Sequence, residues 1–75
     1  MNVKTEDIVA IKPGQIIPFI CEDAKKLQSA STLVSQVKRL SLPDGVVDYE
    51  VQKFFDSNII LIHAIGENDT KVLNR

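Results

Sequence analysis

Seventy-five residues with a formal net charge of −1 make one small domain, and they are too few to bury a large core. With 44% hydrophobic and 25% charged residues, the composition is that of a globular chain and excludes a disordered one. The pI of about 5.7 excludes a uniformly basic nucleic-acid coat, so any binding to nucleic acid must depend on local segregation of charge.

The single cysteine and the N-terminal residues bear on location. Cys21 has no second cysteine to pair with, and a small domain without disulfides is typical of the reducing cytoplasm. The first seven residues are polar and acidic, which predicts no secretory signal. The longest apolar run, residues 59–65, is too short to span a bilayer. We therefore expect a soluble, cytoplasmic protein.

The first predicted element covers residues 5–11. Thr5 suits an N-cap and two acids follow it in the first turn, which favours a short helix. The β-branched run at residues 8–11 leaves a strand as the alternative. Lys12-Pro13-Gly14-Gln15 then predicts a type II turn, because proline suits its second position and glycine its third.

The first strand is predicted over residues 15–21, where isoleucine and phenylalanine are strong β formers. Pro18 lies inside this run and has no N–H to donate. The strand is therefore expected at a sheet edge or with a bulge.

A long helix from Asp23 to Leu42 is the element on which the rest of the chain is expected to pack. Asp23 is a good N-cap, and Lys38 and Arg39 lie in the last turns, where the helix dipole favours cations. Pro43 and the following Asp-Gly pair end the helix. Apolar residues at three- and four-residue intervals form one stripe: Leu27, Ala30, Leu33, Val34, Val37 and Leu40.

Two further strands are predicted after the turn at residues 43–45. Residues 47–52 alternate apolar and polar side chains, as in a strand with one solvated face. A helix over residues 48–55 stays open as an alternative, because the apolar residues there also fit helical spacing. The polar turn at residues 56–58 favours a hairpin with the apolar strand 59–65. That strand should be central or covered on both faces.

The element order predicts an α+β fold. A short N-terminal helix precedes a β-α-β-β core, in which one long amphipathic helix packs on a small, largely antiparallel sheet. Residues 70–75 are predicted to be a loose tail. Because three strands and one helix leave the second face of the apolar strand uncovered, we expect a homodimer that extends the sheet or stacks two sheets.

No catalytic, metal or cofactor site is predicted. His63 lacks a second histidine, so we interpret it as a strand histidine with a satisfied hydrogen bond. Cys21 is interpreted as a buried hydrophobe; as a nucleophile it would need His63 as its base, which requires the first and last strands to pair. Tyr49, Phe54 and Phe55 would stack on bases only from an open sheet face, whereas alternation places Tyr49 and Phe55 in the core. An enzyme is therefore not expected.

The candidate binding surface lies opposite the apolar stripe of the long helix. Residues 24–43 contain no acid, whereas an ordinary solvated helix mixes glutamate with lysine. Uncharged hydrogen-bonding groups bracketed by cations suit phosphates and base edges, although a solvated face with few acids is the simpler interpretation. We call this surface the polar helix face: Lys25, Gln28, Ser29, Thr32, Ser35, Gln36 and Arg39.

The leading hypothesis is a non-enzymatic module that binds DNA or RNA through this face. In it, Lys25, Lys38 and Arg39 contact phosphates. Base edges or sugars are contacted by Gln28, Thr32, Ser35 and Gln36. The rival hypothesis is a protein-interaction or inhibitor module that docks a partner by sheet extension, at the apolar strand or at the edge near Pro18.

Several features of the chain resemble a group of short bacterial proteins. They are the order Lys12-Pro13-Gly14, a strand with Phe19 and Cys21, Ser29-Ala30 at the start of a Ser/Thr-rich helix, and a hairpin from Tyr49 to Ile65. Over most of its length the chain resembles short proteins of gut Bacteroidetes genomes, some of them in prophages or integrated elements. The resemblance implies a compact α+β fold and no assigned activity. A mobile-element setting favours a nucleic-acid or regulatory role by association.

Overall fold

The structure is a computed structural model and describes residues 3–73. Its elements, in chain order, are α1 (Thr5–Val9), β1 (Ile16–Ile20), α2 (Ala24–Leu40), β2 (Asp48–Phe54) and β3 (Ile59–Ile65). The strands form one antiparallel sheet in the order β1-β3-β2. The longer helix packs on β2 and β3, and α1 packs beside α2. The predicted α+β fold is confirmed.

The N-terminal segment is a helix, as the sequence favoured, but its cap differs from the prediction. Lys4 is the N-cap, and its backbone N–H donates to the Asp7 carboxylate at 2.8 Å. Thr5 is therefore the first helical residue, and an acid in the first turn provides the capping bond that we had expected from its hydroxyl. The type II turn is present, since Gly14 has a φ of +88°.

The long helix begins as predicted and ends two residues early. The Asp23 carboxylate accepts the Lys26 N–H at 2.8 Å. At the other end Ser41 is extended, with a φ of −166°. Because the residue before a proline avoids α geometry, Leu42 cannot continue the helix into Pro43.

The apolar stripe of α2 is buried over most of its length. Leu27, Ala30, Val34 and Val37 lie in the core. Leu40, the last member of the predicted stripe, is 79% exposed. The stripe therefore joins α2 to the sheet through its first four turns, and the final residue of the helix contributes little to the core.

The hairpin prediction is confirmed, and the alternative helix over residues 48–55 is wrong. Phe54 pairs with Ile59 across a turn in which Asn58 has a φ of 55°. The apolar strand β3 is central, as predicted, because it pairs with both β1 and β2. Phe55 is not a core residue as the alternation suggested. It is 51% exposed because β2 ends at Phe54 and the pleat does not continue.

The two faces of the sheet differ in what covers them. The centre of the face toward the helices is dry, and its buried residues include Phe19, Tyr49, Ile60, Ile62 and Ala64. We call the other face the open face: Ile16, Pro18, Ile20, Glu50, Gln52, Phe54, Ile59, Leu61 and His63. On it, Ile16 is 39% exposed, Ile20 65% and Phe54 41%.

The position of Pro18 in edge strand β1 follows from the ladder. Gln15 accepts the Ala64 N–H at 3.1 Å, and the Cys21 N–H donates to Asn58 at 2.7 Å. Alternate residues of an antiparallel strand bond to the same neighbour, so the odd-numbered residues of this segment face β3. The backbone of Pro18 therefore points away from the sheet, and its missing N–H removes no hydrogen bond from the ladder.

The C-terminal segment returns to the sheet without forming a helix or strand in residues 70–73. The backbone N–H groups of Val72 and Leu73 donate to the Glu50 carboxylate at 2.7 and 3.1 Å. The last two residues of the predicted loose tail, 74 and 75, lie outside the described residues. No helix within residues 3–73 is long and apolar enough to cross a membrane.

Candidate functional site

The polar helix face is open to solvent along the whole of α2. Each of its seven side chains belongs to an exposed residue. Lys25 and Arg39 stand at its two ends, about 21 Å apart along the axis at 1.5 Å per residue. Neither makes a salt bridge within the part of the chain that the structure describes. The face therefore presents two available cations with uncharged polar groups between them.

The hydroxyl groups of this face are turned back onto the helix. Ser29 donates to the Lys25 carbonyl at 3.0 Å, and Thr32 donates to the Gln28 carbonyl at 3.1 Å. Ser35 makes the same contact with Ser31 at 3.4 Å. Each hydroxyl hydrogen is thus used by the backbone one turn earlier, and each oxygen remains as an acceptor. The hydroxyls suit the amino groups of bases better than they suit phosphates.

Lys38 lies on the flank of the helix rather than on the polar helix face. Its ammonium group is 3.1 Å from Asp48 Oδ1, and its side chain is 42% exposed. At 100° per residue, Lys38 is about 100° away from Arg39, on the side that faces β2. Of the three cations predicted to contact phosphates, the structure therefore keeps Lys25 and Arg39 unpaired and gives Lys38 an acidic neighbour.

Two lysines outside the helix add to this flank, and the sequence did not indicate either. Lys53 on β2 donates to the Gln28 side chain of α2 at 3.4 Å. Lys71 in the C-terminal segment is 3.5 Å from Asp48 Oδ2. Lys53 is two residues beyond Val51 and four beyond Tyr49, so the pleat places its side chain on the same, helix-facing side of β2. Lys71 belongs to a segment without periodicity and gave no signal.

Asp48 joins the two flanking lysines. Burial alone would raise the pKa of this carboxyl. Three groups lower the pKa and together outweigh burial: Lys38 through its hydrogen bond and its charge, the Tyr49 N–H through a hydrogen bond, and Lys71 through its charge. The net effect is a lowered pKa. Asp48 therefore stays ionised to a lower pH than an ordinary aspartate, and it holds both ammonium groups beside α2.

A buried pair on the open face is the second feature that the sequence analysis missed. His63 Nδ1 is 2.7 Å from Glu50 Oε2, and the two side chains are 5% and 1% exposed. His63 is the hydrogen-bonded strand histidine that we expected, but its partner was not identified. The sequence does contain a signal for this partner. A turn over residues 55–58 pairs residue 54 with residue 59, and that register sets Glu50 opposite His63.

The structure separates the groups that a thiol enzyme would need. His63 pairs with Ile16, whereas Cys21 lies just beyond Ile20, about 17 Å farther along the strand. Cys21 also faces the helices and His63 the open face. Burial, with a smaller contribution from the charge of Asp23, raises the pKa of the Cys21 thiol. Cys21 and His63 therefore do not form a catalytic pair.

The residues considered for base stacking and for metal binding are not grouped together within residues 3–73. Tyr49 is 1% exposed and burial raises the pKa of its hydroxyl, so it cannot stack on a base. Phe54 lies on the open face and Phe55 in the turn, so the aromatic residues share no surface. Within residues 3–73, His, Cys, Asp and Glu side chains do not gather in threes as a metal site would require.

Comparison of the chain with protein-family models, with curated proteins and with solved structures finds no match. Function is therefore inferred from the residues themselves. The exposed surfaces with a distinct composition are the polar helix face, with its lysine-rich flank, and the apolar part of the open face.

Proposed function

We propose that this chain is a small, non-enzymatic binding module whose polar helix face binds nucleic acid. The segregation of charge is the observation that supports the proposal. Residues 24–43 contain no acid, although the whole chain carries a net charge of −1. The exposed cations of the helix are therefore concentrated on one surface, and the positive potential at that surface steers a polyanion to it.

The two end cations are far enough apart to contact different phosphates. Lys25 and Arg39 are about 21 Å apart, which corresponds to about six base-pair steps at 3.4 Å each. Between them, the Gln36 carboxamide offers both a donor and an acceptor to base edges, and Gln28, whose oxygen accepts from Lys53, offers its NH₂ group. Three more lysines add positive potential at the β2 side, although they are not the first groups to contact a phosphate: Lys38, Lys53 and Lys71.

The proposed setting is the cytoplasm, where the free, buried thiol of Cys21 stays reduced. The module acts there as a regulatory protein and as a homodimer. A second copy adds buried area to a domain near the lower size limit for independent folding. The origin of the chain in a mobile element remains an expectation from the resemblance alone.

The test is a binding titration with a short mixed-sequence duplex, as DNA and as RNA, followed by fluorescence anisotropy. Two or three phosphate contacts predict a log–log slope of affinity against salt of about −2 to −3. Replacing both end cations, as Lys25→Glu with Arg39→Glu, should lower the affinity at low salt by tenfold or more, on the order of 1.4 kcal/mol.

A matched control separates this surface from net charge. Lys4→Glu with Lys12→Glu changes the net charge by the same amount and removes two exposed lysines that are not part of α2 or of the polar helix face. We expect this control to keep its affinity within about threefold. Equal losses in the two double variants would contradict the proposal, and so would the absence of binding at low salt.

A protein partner is the second candidate, and the exposed apolar residues of the open face favour it. Sheet extension at β1 is disfavoured, because Pro18 presents no N–H at the centre of that five-residue edge. A partner would therefore dock on the face of the sheet rather than along this edge. Such binding would depend weakly on salt, which distinguishes it from binding to nucleic acid.

A further inference from the structure

The open face carries an apolar patch whose members on β1, together with Phe54 on β2, are exposed to solvent. The residues of this patch are neighbours on adjacent strands: Pro18 lies beside Leu61, and Ile59 lies between Ile20 and Phe54. Ile20 is 65% exposed and Phe54 41% exposed. We call these residues, with Ile16, the open-face patch: Ile16, Pro18, Ile20, Phe54, Ile59 and Leu61. Contiguous exposed apolar surface of this kind marks an interaction site.

The charges around the patch favour a second copy of the same chain as its occupant. No member of the open-face patch is charged. Glu50, the ionisable acid on this face, is 3% exposed and is held by His63, Val72 and Leu73. Asp48 is turned to the lysines of the flank. A neutral patch meets its own copy without like-charge repulsion, as a twofold interface requires.

The edges of the sheet favour stacking over extension. The outward backbone positions of β1 are Ile16, Pro18 and Ile20, and the central one has no N–H. At the β2 side, the Glu50 side chain holds the backbone of residues 72 and 73 against the Glu50–His63 end of the open face. A second chain therefore finds a poor hydrogen-bonding edge at β1 and an exposed apolar surface at Ile20 and Phe54.

The size of the patch sets the strength of the contact. The patch runs five residues along β1, at about 3.3 Å each, and narrows to Ile59 and Leu61 on β3 and to Phe54 on β2, so its footprint is at most roughly 15 × 17 Å. A standard stable interface buries about 800 Å² on each partner, which is well above this footprint. The expected dimer is thus weak and forms at high protein concentration.

We propose that two copies of this chain pack face to face through the open-face patch, giving a four-layer α-β-β-α dimer. This inference deepens the homodimer proposed above by naming its surface, and it is independent of nucleic-acid binding. In the dimer the two sheets lie about 10 Å apart, and Ile20, Leu61 and Phe54 of each copy interdigitate with those of the other.

The test is sedimentation equilibrium of the whole chain, without nucleic acid, from about 10 μM to about 1 mM. The wild type should associate to a dimer within this range. Ile20→Lys should stay monomeric throughout. Because Ile20 is 65% exposed, the change leaves no cavity in the monomer. Phe54→Lys is the second variant if Ile20→Lys does not fold by circular dichroism.

Leu40→Lys is the matched control, since it exchanges a 79% exposed leucine on α2 for the same lysine. It should dimerise as the wild type does, and so should the Lys25→Glu, Arg39→Glu variant. A wild type that is monomeric at about 1 mM overturns the proposal and leaves the face to a different protein. A dimer that survives both patch variants also overturns it, because the contact then lies elsewhere.

Discussion

Single residues decide how the C-terminal segment is held. The Glu50 carboxylate accepts hydrogen bonds from two successive backbone N–H groups, those of Val72 and Leu73, and contacts His63 as well. The same segment carries Lys71 to Asp48. One buried acid in β2 therefore fixes the place of a cation at the flank of the polar helix face, although the two residues are 21 positions apart in the chain.

Glu50→Gln should loosen this segment without changing the fold. A neutral amide offers one oxygen where the carboxylate offers two, and its NH₂ group opposes a backbone N–H. The expected cost is about 1–3 kcal/mol of unfolding free energy, as for hydrogen bonds to a buried charged group. Amide hydrogen exchange at Val72 and Leu73 should speed up. Glu67→Gln, in an exposed turn, should change neither measurement.

Asp48 predicts a pH dependence of stability. The flanking lysines and the Tyr49 N–H lower its pKa in the folded state despite burial. A lowered pKa means that the ionised form is favoured by folding. The contribution is present above the unfolded pKa of about 3.9 and is lost as the pH falls through the folded value.

The measurement is urea unfolding of the wild type and of Asp48→Asn from neutral to acid pH. The difference in unfolding free energy between them should be constant above about pH 5 and should shrink below about pH 4. Because Asp48 is partly solvated, the effect is expected to be small. Asp56→Asn, at an exposed position of the hairpin turn, serves as control. A difference that does not change with pH would contradict the role assigned to Asp48.

At the scale of the elements, α2 depends on its first turn. The Asp23 carboxylate accepts the Lys26 N–H at 2.8 Å and satisfies one of the donors that a helix start leaves open. Asp23→Ala should therefore lower the unfolding free energy by about 1 kcal/mol. Asp23→Asn keeps the acceptor and should cost less than half of that. Equal losses in thermal or urea unfolding would show that the cap is not the cause.

The elements also show why the sequence predicted so much of the fold. The α2 stripe, the Asp23 cap and the Pro43 stop are local signals, and local geometry is sufficient to read them. The hairpin followed from a polar turn between two β-rich runs. The alternation failed at Phe55 because the pleat stops where β2 ends. That boundary depends on pairing with β3 rather than on the residue itself.

The candidate site was harder to predict than the fold because part of it is assembled by distant segments. The polar helix face lies on one helix, so spacing alone defined it. The Glu50–His63 contact needs the hairpin register, and Lys71 comes to Asp48 from a distant segment whose next two residues bind Glu50. The orientation of the hydroxyls toward the helix backbone is likewise a matter of side-chain rotamers, which no pattern in the sequence encodes.

At the scale of the whole molecule, Pro18 determines how far assembly can go. A chain with both an adhesive face and an adhesive edge adds copies in two directions, and such growth has no natural end. The segment around Pro18 is otherwise rich in isoleucine and phenylalanine, a composition typical of fibril-forming strands. By leaving one N–H out of that edge, the proline makes β1 a poor template for a further strand, whereas a twofold contact through the face closes on itself. The proposed dimer therefore does not grow from its β1 edge into a fibre.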